Sequence, residues 1–438
     1  MTYREIDAER LMPVPAPSVF APHEDYFAGL RAWTLLLVLL LVSMLCQIDR
    51  ILPFILAEAI RTDLGLSDTQ LGLVTGIAFA VCYSLMSLPL ARFADRGSTR
   101  LVLVFCILVW SAMTSLSGLA ASFVFLAITR FGVAFGEAGA VPSGHALIAR
   151  RIRPQFRGMA IGIFSMGIPL GSMVGFAVGG AVSDAYGWRM AFFGAGAIGI
   201  VLALLLYFAA GPTQPRREGA ASAEPFFRSS LKLLSSPAFR WLFIGSVIIG
   251  FAATPFYAFA APFLIRTHGY TASEVGLTFG LLQGLMGIVG TLIGGRGFDR
   301  VVRSGTGRVL GPPAILFLIA SFTTAAALFV PEGWMAIALM VPAMFSFAFM
   351  LPWSFGAAHL VAGPGRQAQA SSLVMIGSGL FGPALGPLIV GFASDSVTAA
   401  GVQNGLGWAL LLVPFASILT GLAMLVANAR ISRFVRAG

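Results

Sequence analysis

Charged residues are scarce in this chain of 438 residues: they make up 11% of it, whereas hydrophobic residues make up 58%. A soluble domain carries about 25% charged residues, so this composition excludes a water-soluble globular protein. Strand-type alternation is also missing, and the apolar residues form long continuous runs. Runs of about 20 residues cross a bilayer as helices. The sequence therefore predicts an all-α integral membrane protein.

Several kinds of chemistry have no counterpart in the sequence. The three cysteines, Cys46, Cys82 and Cys106, all lie in apolar runs, so neither a disulfide framework nor a metal site is expected. We find no phosphate-binding loop before a helix and no constellation of nucleophile and base. An intramembrane enzyme would need such groups at membrane depth, and ATP-driven transport would need the loop. We predict no enzyme activity, no cofactor and no metal.

Twelve apolar runs are present, and the longest polar interruption separates six from six. The first 32 residues are polar and proline-rich, unlike a signal peptide. The predicted segments are a tail at 1–32, a six-helix bundle at 33–210, a linker at 211–238, a second six-helix bundle at 239–430 and a tail at 431–438.

The net charge of +10 is distributed unevenly. If the N-terminus is cytoplasmic, 23 of the 28 Lys and Arg residues lie on the cytoplasmic side, against Arg61, Arg189 and Arg266 on the other. Such a bias predicts an inner-membrane protein with both termini in the cytoplasm. Basic loops of this kind set topology and contact anionic lipid, so nucleic-acid binding is not needed to explain the charge.

Only four charged residues lie well inside the apolar runs: Asp49, Arg50, Arg130 and Glu137. A charge at the centre of a bilayer costs about 2.5–3.5 kcal/mol on insertion scales, so such residues usually mark an ion or substrate pathway. Seven residues separate Arg130 from Glu137, which places them on nearly the same helix face about 10.5 Å apart. Each therefore needs a partner on another helix.

Asp49 is the natural candidate to partner Arg130. Pro53 cannot donate a hydrogen bond to the carbonyl of Asp49, which leaves a free carbonyl beside a carboxyl group. Pairing with Arg130 favours the carboxylate and apolar surroundings favour the neutral acid, so the balance could change with conformation. We predict that Asp49, Glu137 and Arg130 couple protons to transport, with Arg50 as an interfacial support. The alternative is a purely structural ion-pair network.

The second half lacks charge inside its apolar runs and is rich in aromatic residues. A cavity between the halves would thus have one charged wall and one apolar wall, which suits an amphipathic substrate. A continuous polar lining, which a channel requires, is absent. The alternative is that these aromatic residues pack against lipid or neighbouring helices. The predicted substrate-binding residues are Arg130, Glu137, Tyr257, Phe259, Phe347 and Trp353.

The halves also repeat one loop sequence. Asp95-Arg96 follows Ala91 after the second apolar run, and Asp299-Arg300 follows Gly295 after the eighth. Together with Gly187-Trp188-Arg189, these motifs resemble the signature of the major facilitator superfamily. The resemblance covers about residues 33–430 and implies two bundles related by a pseudo-twofold axis.

The same resemblance implies a latch on the cytoplasmic side, in which an acid meets a helix N-terminus or an arginine. It also implies that the fifth and eighth helices, both rich in glycine, meet at the seam between the bundles. Simple close packing explains these glycines equally well. The gating residues it suggests are Asp95, Arg96, Arg100, Asp299 and Arg300.

A narrower resemblance is to the Spinster family, on Asp49-Arg50 before Pro53 and on Arg130 with Glu137. Animal members of that family export lysophospholipids or sphingosine-1-phosphate. We therefore predict a monomeric secondary transporter that works by alternating access, coupled to protons. It would move an amphipathic lipid-like or organic anionic substrate across the inner membrane. Membrane lipids are its expected surroundings. The alternative is proton-driven efflux of hydrophobic or cationic compounds.

Overall fold

The computed structural model describes residues 26–96, 98–211, 226–304, 309–363 and 366–437. Within these ranges the regular secondary structure is helical, and twelve long helices follow one another along the chain. They are α1 (Gly29–Ile55), α2 (Asp68–Thr75 and Ile77–Arg96), α3 (Thr99–Ser117), α4 (Phe123–Glu137 and Ala140–Arg151), α5 (Arg157–Ser165 and Gly167–Tyr186), α6 (Trp188–Ala210), α7 (Pro237–His268), α8 (Ala272–Val275, Gly276–Gly280 and Leu281–Arg303), α9 (Gly311–Ala327), α10 (Gly333–Ala362), α11 (Gln367–Ile376, Gly377–Phe381 and Gly382–Ala399) and α12 (Gly405–Ala409 and Leu412–Ala437).

Eleven of the helical stretches in the described ranges are long and apolar enough to cross a membrane, and α9 is a shorter apolar helix of 17 residues. The predicted all-α membrane fold is confirmed. Helix α1 begins at Gly29, four residues before the expected Trp33. Two short helices lie outside the twelve: Ala57–Leu64 after α1, and Phe226–Ser235 inside the predicted linker. Residues 1–25 and 212–225 lie outside the described ranges.

The twelve helices form two bundles, α1–α6 and α7–α12. In the first, α1 packs against α5 and α3 against α6; in the second, α7 packs against α12 and α8 against α10. We call the side where α6 ends and α7 begins the linker face, and the opposite side, which carries Ala57–Leu64, the far face. The two largest contacts between the bundles are seams of α2 with α11 and of α5 with α8, and α7 also contacts α1 and the short helix Ala57–Leu64.

Glycine allows the close approach at both seams. A Cβ on Gly276 of α8 would lie 3.0 Å from the carbonyl carbon of Phe176 in α5, so the predicted contact between these two glycine-rich helices is confirmed. A Cβ on Gly72 of α2 would lie 2.7 Å from the carbonyl carbon of Pro387 in α11. This second seam was not predicted. Small residues let the helix backbones of the two bundles pack directly.

An ion pair anchors the short far-face helix Ala57–Leu64 to the first bundle. Arg189 Nη1 lies 2.5 Å from Asp63 Oδ2, and the indole nitrogen of Trp188 donates to the same oxygen at 3.3 Å. The hydrogen bond from Arg189 lowers the pKa of Asp63 from its ordinary value. The Trp188-Arg189 part of the superfamily motif therefore holds the connection between α1 and α2.

Packing within the first bundle can be tested at Gly136, where α4 lies against α3. A Cβ there would lie 2.7 Å from the main-chain nitrogen of Trp110 and 2.8 Å from the carbonyl oxygen of Cys106. We expect Gly136→Ala to destabilise the protein by about 1–3 kcal/mol through overpacking. Gly162→Ala is the matched control, since no atom lies within 4 Å of its added Cβ. The measurement is thermal unfolding in detergent, and equal melting temperatures for the two variants would contradict the packing.

Candidate functional site

The four charged residues of the apolar runs come together inside the first bundle. We call Asp49 and Arg50 of α1, with Arg130 and Glu137 of α4, the charge cluster. Asp49 and Glu137 are fully buried and Arg130 is 2% exposed, whereas the Arg50 side chain is 29% exposed. The cluster thus has a buried interior and one cation that reaches its edge.

Arg50 forms an ion pair with Glu137, its Nε lying 2.6 Å from Oε2. The thiol of Cys46 donates to the same oxygen at 3.4 Å. We expected Arg50 to act as an interfacial support, whereas the structure pairs it with a buried acid. Cys46 and Arg50 are four residues apart and share one face of α1, so both reach the same acid. The spacing of four residues was the signal in the sequence that Cys46 and Arg50 could reach a common partner.

Arg130 contacts Asp49 as expected, but through the main chain. Arg130 Nη1 donates to the carbonyl oxygen of Asp49 at 3.2 Å, the carbonyl that Pro53 leaves without a helical donor. Both carboxylate oxygens of Asp49 are buried without a hydrogen-bond partner among the described residues. The hydroxyl of Thr114 on α3 lies near them but outside hydrogen-bonding geometry. Asp49 is therefore a buried acid with no donor of its own.

Two aromatic residues of α2 complete the cluster, and sequence reasoning did not find them. The rings of Phe79 and Tyr83 stack with centroids 5.7 Å apart. The guanidinium carbon of Arg50 lies 4.6 Å from the centroid of Tyr83 and 5.2 Å from that of Phe79. The guanidinium carbon of Arg130 lies 5.6 Å from the centroid of the Phe79 ring. Their spacing of four residues predicts one helix face, but not which face.

The predicted aromatic residues of the second bundle divide into two pairs. Tyr257 of α7 and Phe347 of α10 are in edge contact, with centroids 5.8 Å apart, and Tyr257 is partly exposed. Phe259 and Trp353 are each 1% exposed and belong to the helix packing, Trp353 stacking on Phe349. In this conformation Phe259 and Trp353 do not line an accessible surface.

The described contacts of the predicted gating residues lie within one bundle. Arg100 donates to the carbonyl of Tyr207 at 3.3 Å and lies over its ring, all within the first bundle. Asp299 and Arg300 are exposed, and the side chains of Asp95 and Arg96 lie outside the described residues. The hydrogen bonds and ion pairs that join described residues of the two bundles all lie on the far face. No linker-face latch is formed among the described residues.

Ion pairs form the first part of the far-face contact. Arg266, near the end of α7, lies 2.7 Å from Asp68 Oδ1 and 2.8 Å from Asp68 Oδ2. The same guanidinium group pairs with Glu58 of the short helix. Ser394 of α11 also donates to Asp68, at 2.6 Å. A cation and a hydroxyl of the second bundle thus hold acids of the first.

Helix caps form the second part of the far-face contact, and each bundle supplies a carboxylate that caps a helix of the other bundle. Asp395 of α11 accepts from the main-chain nitrogens of Asp68 at 3.0 Å and Thr69 at 2.8 Å, and from the Thr69 hydroxyl at 2.5 Å. Asp184 of α5 accepts from the main-chain nitrogen of Ser273 at 2.7 Å. Each carboxylate caps the N-terminus of α2 or α8 in the opposite bundle, where free N–H groups favour an anion. We call these ion pairs and caps the far-face lock.

Two six-helix bundles with a charged site in one of them are matched by a known family. Residues 35–387 match the family model of the Major Facilitator Superfamily. The chain belongs to the Major Facilitator Superfamily. It is an integral membrane transporter rather than an enzyme.

Named relatives and solved structures support the same family. An MFS-type efflux pump of Mycolicibacterium smegmatis is 35% identical over 430 residues, covering 96% of this chain and 98% of the pump. A probable L-galactonate transporter of Escherichia coli is 26% identical over 388 residues, covering 83% of each chain. A bacterial homologue of the human lysosomal transporter Spinster, crystallised in inward-facing form, superposes with a TM-score of 0.79 at 28% identity, covering 94% and 98%. The resemblance to the Spinster family is confirmed.

The far-face lock can be tested with Asp395→Ala. The variant loses three accepted hydrogen bonds, and loss of a cap costs about 1 kcal/mol, so we expect the far-face-open population to rise about fivefold or more. The measurement is the distance distribution between spin labels at Ala121 and Gln403, exposed far-face sites in different bundles.

Ser396→Ala is the control for this experiment, because the Ser396 hydroxyl donates only within its own helix, to Phe392. Asp184→Ala should act in the same direction as Asp395→Ala. Unchanged distances in both aspartate variants would show that the caps do not hold the far face closed.

Proposed function

We propose that this transporter is a proton-coupled secondary carrier that moves an amphipathic lipid-like or organic anionic substrate across the inner membrane by alternating access. It acts as a monomer with both termini in the cytoplasm. The observation that carries the proposal is the charge cluster, where two acids and two guanidinium groups share one buried site. Buried titratable groups in a bilayer that contact one another are typical of proton and substrate pathways.

The cluster is electrically neutral when both acids are ionised. Binding one proton leaves a net charge of +1, which a low-dielectric site compensates most readily by taking up an anion. Proton binding then strengthens anion binding, and linkage requires that the anion strengthen proton binding equally. A cluster of this composition supports movement of proton and anion together.

Glu137 is the acid whose protonation has the most direct effect. It holds Arg50 through one oxygen, so adding a proton weakens that ion pair and releases the partly exposed guanidinium group for a substrate head group. Among the described residues no donor reaches the Asp49 carboxylate, and burial favours its neutral form while Arg130 favours the carboxylate. We propose Glu137 and Asp49 as proton sites, with Arg130 and Arg50 as the cations that balance them.

The second bundle supplies the apolar wall. Tyr257, which is partly exposed, packs against the buried ring of Phe347 at the contact of α7 and α10, and the described residues of these helices carry no charge near them. An acyl or other apolar part of the substrate would lie along this wall. Phe259 and Trp353 support the wall from within the bundle. The name of the Escherichia coli relative, a probable L-galactonate transporter, also favours an organic anion.

The placement of contacts between the bundles supports alternating access as the mode of transport. The far-face lock is closed here, so the substrate would enter the charge cluster from the linker face. Reversing the state requires the lock to break and a contact to form on the linker face. We propose that Asp95, Arg96, Arg100, Asp299 and Arg300 make that second contact.

A second candidate is proton-driven efflux of hydrophobic or cationic compounds. The observation that favours it is the 35% identity to an MFS-type efflux pump over nearly the full length of both chains. A cationic substrate would compete with protons for Asp49 and Glu137 rather than bind with them. The two candidates therefore predict opposite signs of coupling.

Neutralising either acid tests the coupling. We expect Asp49→Asn and Glu137→Gln to reduce pH-gradient-driven transport in proteoliposomes at least tenfold, because neither amide can exchange a proton, while exchange of substrate at equal pH continues. Glu332→Gln is the control, since Glu332 is exposed on the connection before α10. Full gradient-driven transport by both cluster variants would refute proton coupling at these acids.

The sign of coupling separates the two candidates. With a pH-sensitive dye inside the vesicles, an anionic probe such as lysophosphatidylglycerol or L-galactonate should carry protons in its own direction. Ethidium, a cationic probe, should move against the protons if it is a substrate. Proton countermovement with ethidium and no response to either anion would favour efflux and reject the anionic substrate.

A further inference from the structure

Phe79 and Tyr83 are the α2 side chains that contact the charge cluster, and Phe79 touches both of its cations. The guanidinium carbons of Arg50 and Arg130 lie 5.2 Å and 5.6 Å from the Phe79 centroid. Arg50 lies closer still to Tyr83, at 4.6 Å. Cations within about 6 Å of a ring centroid are attracted by the negative face of the ring. Both guanidinium groups are thus held from the side of α2.

The hydrogen-bonding state of the arginines explains why the rings matter. Nη2 of Arg50 and Nε of Arg130 are buried without an acceptor among the described residues. A guanidinium group carries five N–H donors and no acceptor, and an unmatched buried donor is costly. The faces of Phe79 and Tyr83 provide the negative potential that oxygen acceptors do not supply here.

The rings also act when the acid partner is lost. If Glu137 binds a proton, Arg50 loses its ion pair but keeps its contacts with Tyr83 and Phe79. Without the rings, nothing described on α2 would keep that guanidinium group from turning away from the cluster. Like charges on Arg50 and Arg130 would also separate further, since they repel each other.

We propose that Phe79 and Tyr83 are positioning residues for transport, whose ring faces keep Arg50 and Arg130 aimed into the cluster while a substrate binds. The expected effect of the two rings on substrate binding rests on the proposed anionic substrate, whereas their effect on the position of the two arginines does not. Helix α2 is interrupted at Gly76, three residues before Phe79, and its other segment begins with Asp68 and Thr69 of the far-face lock. The ring pair therefore lies on the same interrupted helix as two residues of the far-face lock.

The first experiment measures the guanidinium groups directly. The full-length protein in detergent is treated with phenylglyoxal, and modification of each arginine is followed by peptide mass spectrometry. We expect Phe79→Leu, which keeps an apolar side chain but removes the ring, to raise the rates at Arg50 and Arg130 about fivefold or more. Phe79→Tyr restores the ring face and should return the wild-type rates. Arg189, paired with Asp63 on the far face, serves as the internal reference.

The second experiment measures binding during exchange of lysophosphatidylglycerol at equal pH on both sides, which needs no proton coupling. Phe79→Leu should raise KM about five- to thirtyfold with a smaller change in kcat, because the cations are misplaced before the substrate binds. Tyr83→Phe keeps the ring and should match the wild type, whereas Tyr83→Leu should resemble Phe79→Leu. Tyr83→Leu also serves if Phe79→Leu does not fold.

The outcomes separate this proposal from the proposed function. Unchanged phenylglyoxal rates in both leucine variants, or equal defects in Phe79→Leu and Phe79→Tyr, would overturn the positioning role. If the rates rise as expected but the wild type exchanges no anionic probe, the positioning role stands and the anionic substrate is rejected. Raised rates with the expected rise in KM would support both.

Discussion

The ion pair between Arg50 and Glu137 is the interaction on which the rest of the charge cluster depends. Glu137 is fully buried, so removal of Arg50 would leave an uncompensated carboxylate, at a cost below the about 3–5 kcal/mol of a fully buried pair because 29% of the Arg50 side chain is exposed. The pair joins α1 to α4 within one bundle, so movement of one bundle against the other does not have to break it. Under the proposed function, protonation and substrate binding would set the state of this pair, and the bundle that contains it could remain rigid.

Contacts between the bundles are of a different kind. The far-face lock consists of partly exposed ion pairs and of hydrogen bonds to helix N-termini, and glycine contacts at the two seams add to it. A charge near a helix end contributes about 0.3–1 kcal/mol when exposed to water. Such contacts bias a conformation without fixing it. Both capping carboxylates follow a serine near the far end of their helix, at Ser183-Asp184 of α5 and Ser394-Asp395 of α11, so the lock repeats the pseudo-twofold relation of the bundles.

Hydropathy predicted the twelve helices and the four buried charges, and the resemblance to the superfamily implied the meeting of α5 with α8. The spacing of residues along a helix does not fix the rotation of that helix about its axis. That rotation decides which of Arg50 and Asp49 faces the acid on α4, and in the structure it is Arg50. The carboxylates that cap helices of the opposite bundle were also missed. Their donors are main-chain N–H groups, which every residue except proline carries, so no particular residue type marks the partner. Phe79 and Tyr83 look like any apolar pair on a membrane helix until α1 is placed beside them.

The two bundles share an architecture but not a chemistry. In the first, side chains of its first and fourth helices meet as the Arg50–Glu137 ion pair; in the second, the corresponding helices meet as the rings of Tyr257 and Phe347. Charge confined to one bundle needs compensation only there, and the other bundle is free to present apolar surface. In the proposed transport cycle, the apolar wall would slide past the substrate without separating an ion pair. Under that proposal, the asymmetry would let one carrier hold a charged group firmly and accept varied apolar parts beside it.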